Sequence, residues 1–280
     1  MSVAVGRRDY SVGGGKFHDS AKPGYKTVLC LTASTPYGSI GPYCVKDKNG
    51  HIMENAWQAR KIYEHVPRTR QPRSRYDSTV IWEWPSEVHW DGNGPTPAYW
   101  KWRAALLAAP EAVRYPVGRA HRKHCKGFLW RHTGDDTGVY TDDEEDMANY
   151  QLLDYVEARK VGYVPVYMEC LRDKPKFVEL QQRHARGENL LIVEVDGPHK
   201  ESLGYYQDTY GVAETFIDDD NVMDATPENL GVMLYDAKHP FGHGYCLAMA
   251  LLGLTVDDLP KPAACGRGKR MREEEEEEDK

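Results

Sequence analysis

The sequence predicts an α+β protein, a single mainly helical domain with a small sheet, on three observations. Segments such as "DKPKFVELQQRHARG" and "DATPENLGVMLYDAKHP" combine helical spacing with helix punctuation. Apolar runs such as "YKTVLCLTAS" and "LLIVEV" have strand composition. The two kinds alternate without a regular βαβ rhythm, which favours α+β over a doubly wound parallel sheet. With 280 residues, 40% of them hydrophobic, the chain is long enough to bury a substantial core.

Residues 1–24, including "VGGGKFHDSAKPG", are rich in glycine and polar residues without apolar periodicity, so a flexible leader is expected. The folded domain is expected over 25–259. "YKTVLCLTAS" opens it as a buried strand, and "TPYGSIGPYCV" follows as a turn-rich loop into a short strand ending at "DKNG". "GHIMENAWQARKIYE" (50–64) then reads as a turn into a helix. At about 100° per residue, Glu54, Gln58 and Lys61 fall within roughly 60° of one another, opposite Ile52, Ala56, Ala59 and Tyr63. One side is a core stripe. The polar row is either a solvated face or a binding and catalytic one.

Residues 66–112 change character and read as an insertion. "RTRQPRSRYDST" is basic, and the following stretch carries five of the seven tryptophans. Arg68, Arg70, Arg73 and Arg75 beside these indoles suit phosphates and bases, while the same tryptophans suit packing of the insertion onto the domain. In "YPVGRAHRKHCKG" (115–127), His121 and Cys125 are spaced to share a helix face, but zinc needs three or four ligands and no second cluster matches, so no metal site is expected. Arg119 and Arg122 in the same stretch are phosphate candidates, set against a solvated basic surface. "DDEEDMANYQLLDYVEARK" runs from acidic to basic, as a helix dipole favours.

Pro175 starts the next helix, with Phe177, Leu180, Gln181 and His184 along it and Gly187 closing it, and a buried strand follows from Leu190 to Val195. Residues 197–225 read as a second insertion. Thr226 is placed as an N-cap with Pro227 at the first helical position. In "HPFGHGYCLAMALLG", Gly242 and Gly244 stand at the start of an apolar helix, where free N–H groups attract phosphate, or where the glycines only make a tight turn around a structural His243. Residues 260–280 read as a disordered tail, whose "GRGKRMR" suits a nuclear address or a nucleic-acid contact, set against a basic run of the kind that often occurs by chance.

Net charge is -7, and the terminal acidic run alone supplies that much, so overall acidity selects no partner class. Six scattered cysteines without a CxxC pair, and no signal segment, point to an intracellular protein, cytoplasmic or nuclear. The longest apolar run, "GYCLAMALLGL", is about half of a bilayer span, so no membrane partner is expected. P-loop, GxSxG, kinase, HExxH, zinc-finger, RRM and KH patterns are absent.

"GHIMENAWQARKIY" resembles the signature of the NADAR family, in which a glycine turn precedes Ser-Glu-His-x-x-Gln-Ala-x-Lys. Aligned without gaps, the family's glutamate, glutamine and lysine fall on Glu54, Gln58 and Lys61, with Met53 and Asn55 at its serine and histidine. "MECLRDKPKFVELQQRHARGENLLIVEVD" is similar to the family's long helix and leucine-rich strand, and "PFGHGYCLAMALLG" to its closing segment, with Phe241 where a tryptophan is usual. The resemblance implies a NADAR-like fold and an N-glycosidase acting on a ribosylated or ADP-ribosylated base, without metal or redox cofactor. Glu54 would stabilise the cation or activate water, Gln58 would orient ribose or base, and Lys61 would hold the carboxylate or a phosphate. Trp57, Arg119, Arg122, Phe241, Gly242, His243 and Gly244 would form the substrate side. Asp196 and Asp236 are candidates for the acid that protonates the leaving base. The implied partner is a nucleotide-like small molecule or ADP-ribosylated nucleic acid. Two other readings stand beside this one: a non-catalytic reader of ADP-ribose or nucleotide, and a nucleic-acid-associated structural protein using the arginine and tryptophan stretch.

Overall fold

In the computed structural model, the described residues are 1–10, 17–66, 68–71, 82–113, 124–131 and 149–263. They form an α+β protein of two compact units, where a single domain was expected. The first unit takes Met1–Leu31, Thr35–Gly38 and the chain from Pro175 onward; the second takes Thr32–Ser34 and Ser39–Lys174.

The first unit is built on a five-stranded sheet. Its path runs β12 (Met223–Asp224), β1 (Val3–Tyr10), β11 (Asn189–Glu194), β3 (Tyr25–Leu29), with β2 (Phe17–Asp19) also paired to β1. β1, β11 and β3 are mutually parallel, with Val5 opposite Ile192 and Ile192 opposite Val28. Leu190 to Val193 are fully buried, which explains an unbroken apolar run in place of alternation. Residues 3–10 thus belong to the sheet, with Val3, Ala4 and Val5 buried, and the flexible leader is corrected there. Their parallel partner β11 lies far along the chain, and the local antiparallel pairing with β2 involves only Arg8–Tyr10.

Helices flank this sheet where the punctuation placed them. α5 (Pro175–Ala185) precedes β11, and Gly187 closes the turn between them at φ 99°. α6 (Leu203–Tyr210) and β12 lie within the stretch read as an insertion. In α7 (Pro227–Tyr235) the Thr226 side chain accepts the Asn229 N–H, with Pro227 in the first turn. α8 (His243–Leu252) is buried on nearly all sides and packs on β1 and β11.

The second unit holds a three-stranded antiparallel sheet, in the order β10 (Tyr150–Leu153), β9 (Cys125–Arg131), β4 (Lys61–Tyr63). Two short pairs join β5 (His65–Val66) to β8 (Glu87–Val88) and β6 (Thr69–Gln71) to β7 (Trp82–Trp84). α1 (Met53–Gln58) and α2 (Pro97–Leu107) carry much of its core. Ile62, Tyr63, Tyr99, Trp100, Trp102 and Leu106 pack together there, so these tryptophans serve burial. After β10 comes a helix in three parts: α3 (Tyr155–Ala158), a π turn over Arg159–Tyr163, and α4 (Val164–Leu171). Two expected helices are shortened. Of the one read over 142–160, residues 142–148 lie outside the described residues, Tyr150–Leu153 pairs with β9, and helix is present from Tyr155. The one read over 50–64 ends at Gln58, since Lys61–Tyr63 also pairs with β9. Among the described residues, no helix is long and apolar enough to cross a membrane.

Candidate functional site

α1 is short but firmly seated. The Glu54 N–H donates to the Pro42 carbonyl (2.9 Å), and the Asn55 side chain, fully buried, clasps residues 111–113. Asn55 Nδ2 donates to the Glu111 carbonyl (2.9 Å), and Asn55 Oδ1 accepts the Val113 N–H (2.7 Å). Where the resembling family has histidine, this chain therefore has a structural clasp.

Glu54 is only 8% exposed, and Gln58, one turn on, donates from Nε2 to Glu54 Oε1 over 2.6 Å. Two members of the expected polar row are therefore brought together. Gln58 Oε1 is buried with no hydrogen-bond partner among the described residues. A buried carbonyl oxygen left unpaired costs about 1–3 kcal/mol, so a donor arriving there has something to gain. Lys61 departs from the row. It sits on β4, with its Cα opposite Phe128 and its Nζ 6.0 Å from that ring.

Trp57 is nearly buried and stacks on Phe128 with ring centroids 4.4 Å apart, with Tyr163 tilted against it at 5.0 Å. Met53, Ala56, Trp57 and Arg60 line a cleft along α1, and neither Glu54 nor Gln58 is among its lining residues.

The other expected site residues belong to the first unit. Phe241 is buried and stacked on Tyr245, and Gly242 is the N-cap of α8. A Cβ at Gly242 or Gly244 would stand 2.7 or 2.8 Å from Glu194 Oε1. The glycines let the Glu194 carboxylate approach the helix start, so the protein's own anion holds the place expected for a phosphate. His243 Nδ1 lies 3.1 Å from Glu194 Oε2, and its Nε2 donates to the Cys30 carbonyl at 2.6 Å. Burial pushes the Glu194 carboxyl up to about 7, against the pull of His243. Burial works to lower His243, but attraction to Glu194, with Cys30 adding to it, outweighs burial and raises the imidazole to about 10. Glu194 escaped the sequence reading, although a lone carboxylate inside "LLIVEV" was its signal.

Asp236 is unsuited to the acid role considered for it. Burial raises its pKa, but the His239 bond and the Tyr205 hydroxyl outweigh this and hold it below the usual carboxylate range. It accepts from Tyr205 Oη (2.8 Å) and the Lys238 N–H (3.0 Å), and faces His239 Nδ1 at 2.6 Å. Asp196 is exposed beyond the end of β11.

Arg119, Arg122, His121, Arg73 and Arg75 lie outside the described residues. Arg68 pairs with Glu83 at the surface (3.1 Å), and Arg70 lies on β6. Cys125 opens β9, so the helix face expected for it with His121 is replaced by a strand. Among the described residues, no group of three or more His, Cys, Asp or Glu is placed to hold a metal ion.

Comparison with family models, with curated proteins and with solved structures returns no match.

Proposed function

We propose that the chain is an N-glycosidase that hydrolyses the C1–N bond of a ribosylated or ADP-ribosylated base, in a NADAR-like manner. The reading is carried by the Glu54 and Gln58 pair: a sheltered carboxylate on a clamped helix, hydrogen-bonded to the amide one turn on. As the C1–N bond breaks, its electron pair leaves with the base and positive charge spreads over C1 and the ring oxygen. Glu54 stabilises that charge and accepts a proton from the water whose oxygen bonds to C1. A second proton must reach the departing base nitrogen. Asp236, held ionised, does not supply it; a solvent water protonates a ring nitrogen of the base, and Glu54 returns its own proton to solvent afterwards.

The rival reading is a reader that binds the same ligand without cutting it, and the aromatic surroundings of Trp57 favour it. The purified full chain, incubated with ADP-ribosylated guanine in DNA, ribosylaminopyrimidine phosphates and free NAD, separates the two by chromatography. Release of free base from any member supports the glycosidase. Saturable binding with no release selects the reader.

A further inference from the structure

The cleft beside α1 carries its own set of residues, distinct from Glu54 and Gln58. Trp57, Arg60, Trp130, Arg131, Gly162 and Tyr163 line it, with Lys48 at the loop that precedes α1, and its volume is about 180 Å³. Arg60 lies over Trp130, its guanidinium carbon 3.8 Å from the ring centroid. That stack offers a cationic platform, and Trp57 and Tyr163, both nearly buried, back the cleft wall.

The π turn over Arg159–Tyr163 shapes the opposite wall. A Cβ on Gly162 would stand 2.7 Å from Trp130 Cη2, and closer still to Cζ3, so only glycine leaves the indole in place. π turns are uncommon and concentrate at functional positions. Here the turn brings both Gly162 and Tyr163 to the cleft.

The charges in the cleft favour an anion. Lys48, Arg60 and Arg131 stand against Asp47 and Glu169. Asp47 Oδ1 accepts the N–H groups of Asn49 and His51, both at 2.9 Å, its Oδ2 faces His51 Nδ1 at 3.3 Å, and Arg131 in turn lies 5.6 Å over the Tyr150 ring.

We infer that this cleft binds the base and phosphate of a nucleoside phosphate, the base stacked on the Arg60 and Trp130 platform and the phosphate paired with Arg131 and Lys48. The inference rests on the glycosidase reading for its choice of nucleotide, and it assigns the cleft to the part of the substrate away from the bond that is cut. Among polar ligands of this size, a nucleoside phosphate joins a flat π face to a negative group, which is the combination that these residues complement.

The test is calorimetric titration of the full chain with AMP, with adenosine and ribose 5-phosphate as partial probes. Variants are Arg131→Ala, Gly162→Ala and Glu54→Gln, each checked for an unchanged thermal transition. AMP is expected to bind more tightly than either partial probe. Arg131→Ala and Gly162→Ala are expected to weaken AMP about tenfold or more, and Glu54→Gln serves only to read base release. AMP that does not bind, or that binds all variants alike, overturns the inference. Normal AMP binding with no base release from any substrate keeps the cleft and removes the glycosidase. Base release that depends on Glu54 but not on Arg131, in a protein indifferent to AMP, does the reverse. If Arg131→Ala or Gly162→Ala fails to fold, Arg131→Lys and Trp130→Phe replace them. An unchanged AMP affinity in both replacements also overturns the inference.

Discussion

His243 Nδ1 and Glu194 Oε2 lie 3.1 Å apart in the core of the first unit, joining the start of α8 to the end of β11. Each group is protonated more readily in the folded chain than in the unfolded one. Both folded pKa values are raised, so each contribution to stability is greatest at low pH. Glu194's declines as pH rises through about 7, and His243's as pH rises through about 10. Thermal melts are therefore expected to show stability lost from this pair toward the alkaline side. Glu194→Gln removes His243's anionic partner and is expected to lower Tm and to flatten the slope between about pH 7 and pH 9. An equal slope in the variant contradicts the pairing.

Two glycines make a matched pair for stability. A Cβ on Gly197 would stand 2.8 Å from the backbone carbon of Gly6 and 3.2 Å from Arg7 Cα, and neither can give way without moving β1. Gly197→Ala is expected to cost about 1–3 kcal/mol. Gly204 in α6 has nothing within 4 Å of its Cβ position, so Gly204→Ala is expected to gain up to about 1 kcal/mol from helix propensity. Urea titration of both variants checks the contrast through the midpoint at constant slope.

Asn55→Ala removes the clasp on residues 111–113 and orphans the buried Val113 N–H. The expected loss is about 1–3 kcal/mol, measured in the same titration. Asn55→Asp keeps the acceptor for Val113 but loses the donor to Glu111 and buries a charge, so it is expected to be no better than alanine.

Removal of residues 1–10 takes away the strand between β12 and β11. The truncated chain is expected to lose the cooperative melt of the first unit and to become sensitive to protease. A truncated chain that melts like the full one would contradict the placement of β1.

Much of the helical part was legible because its signals are local. Thr226 with Pro227, Pro175 with Gly187, and the apolar run after Gly244 each specify a helix end within a few residues. β1 was not legible, because its parallel partner lies about two-thirds of the chain away, with Val3 opposite Leu190, and its "VAVGRRDY" runs into glycine-rich sequence. Lys61 was misplaced for a related reason: helical spacing extends through residues 59–63, but pairing of Lys61–Tyr63 with β9 overrides it, and only tertiary context decides that. At the candidate site, the relation of Glu54 to Gln58 followed from spacing alone. The π turn that brings Gly162 and Tyr163 into the cleft has no comparable signature, because a π turn differs from an α-helix by a single inserted residue.

The most direct measurement of the central claim is kcat for base release by Glu54→Gln beside the native chain, on whichever ribosylated substrate the native chain cleaves fastest. Glutamine keeps the size and a hydrogen-bonding oxygen, so the fold and the ligand affinity are expected to persist. Turnover is expected to fall by about 100-fold or more, because both the charge facing the oxocarbenium ion and the base for water are gone. A variant that stays folded and releases base at the native rate would contradict the assignment of Glu54.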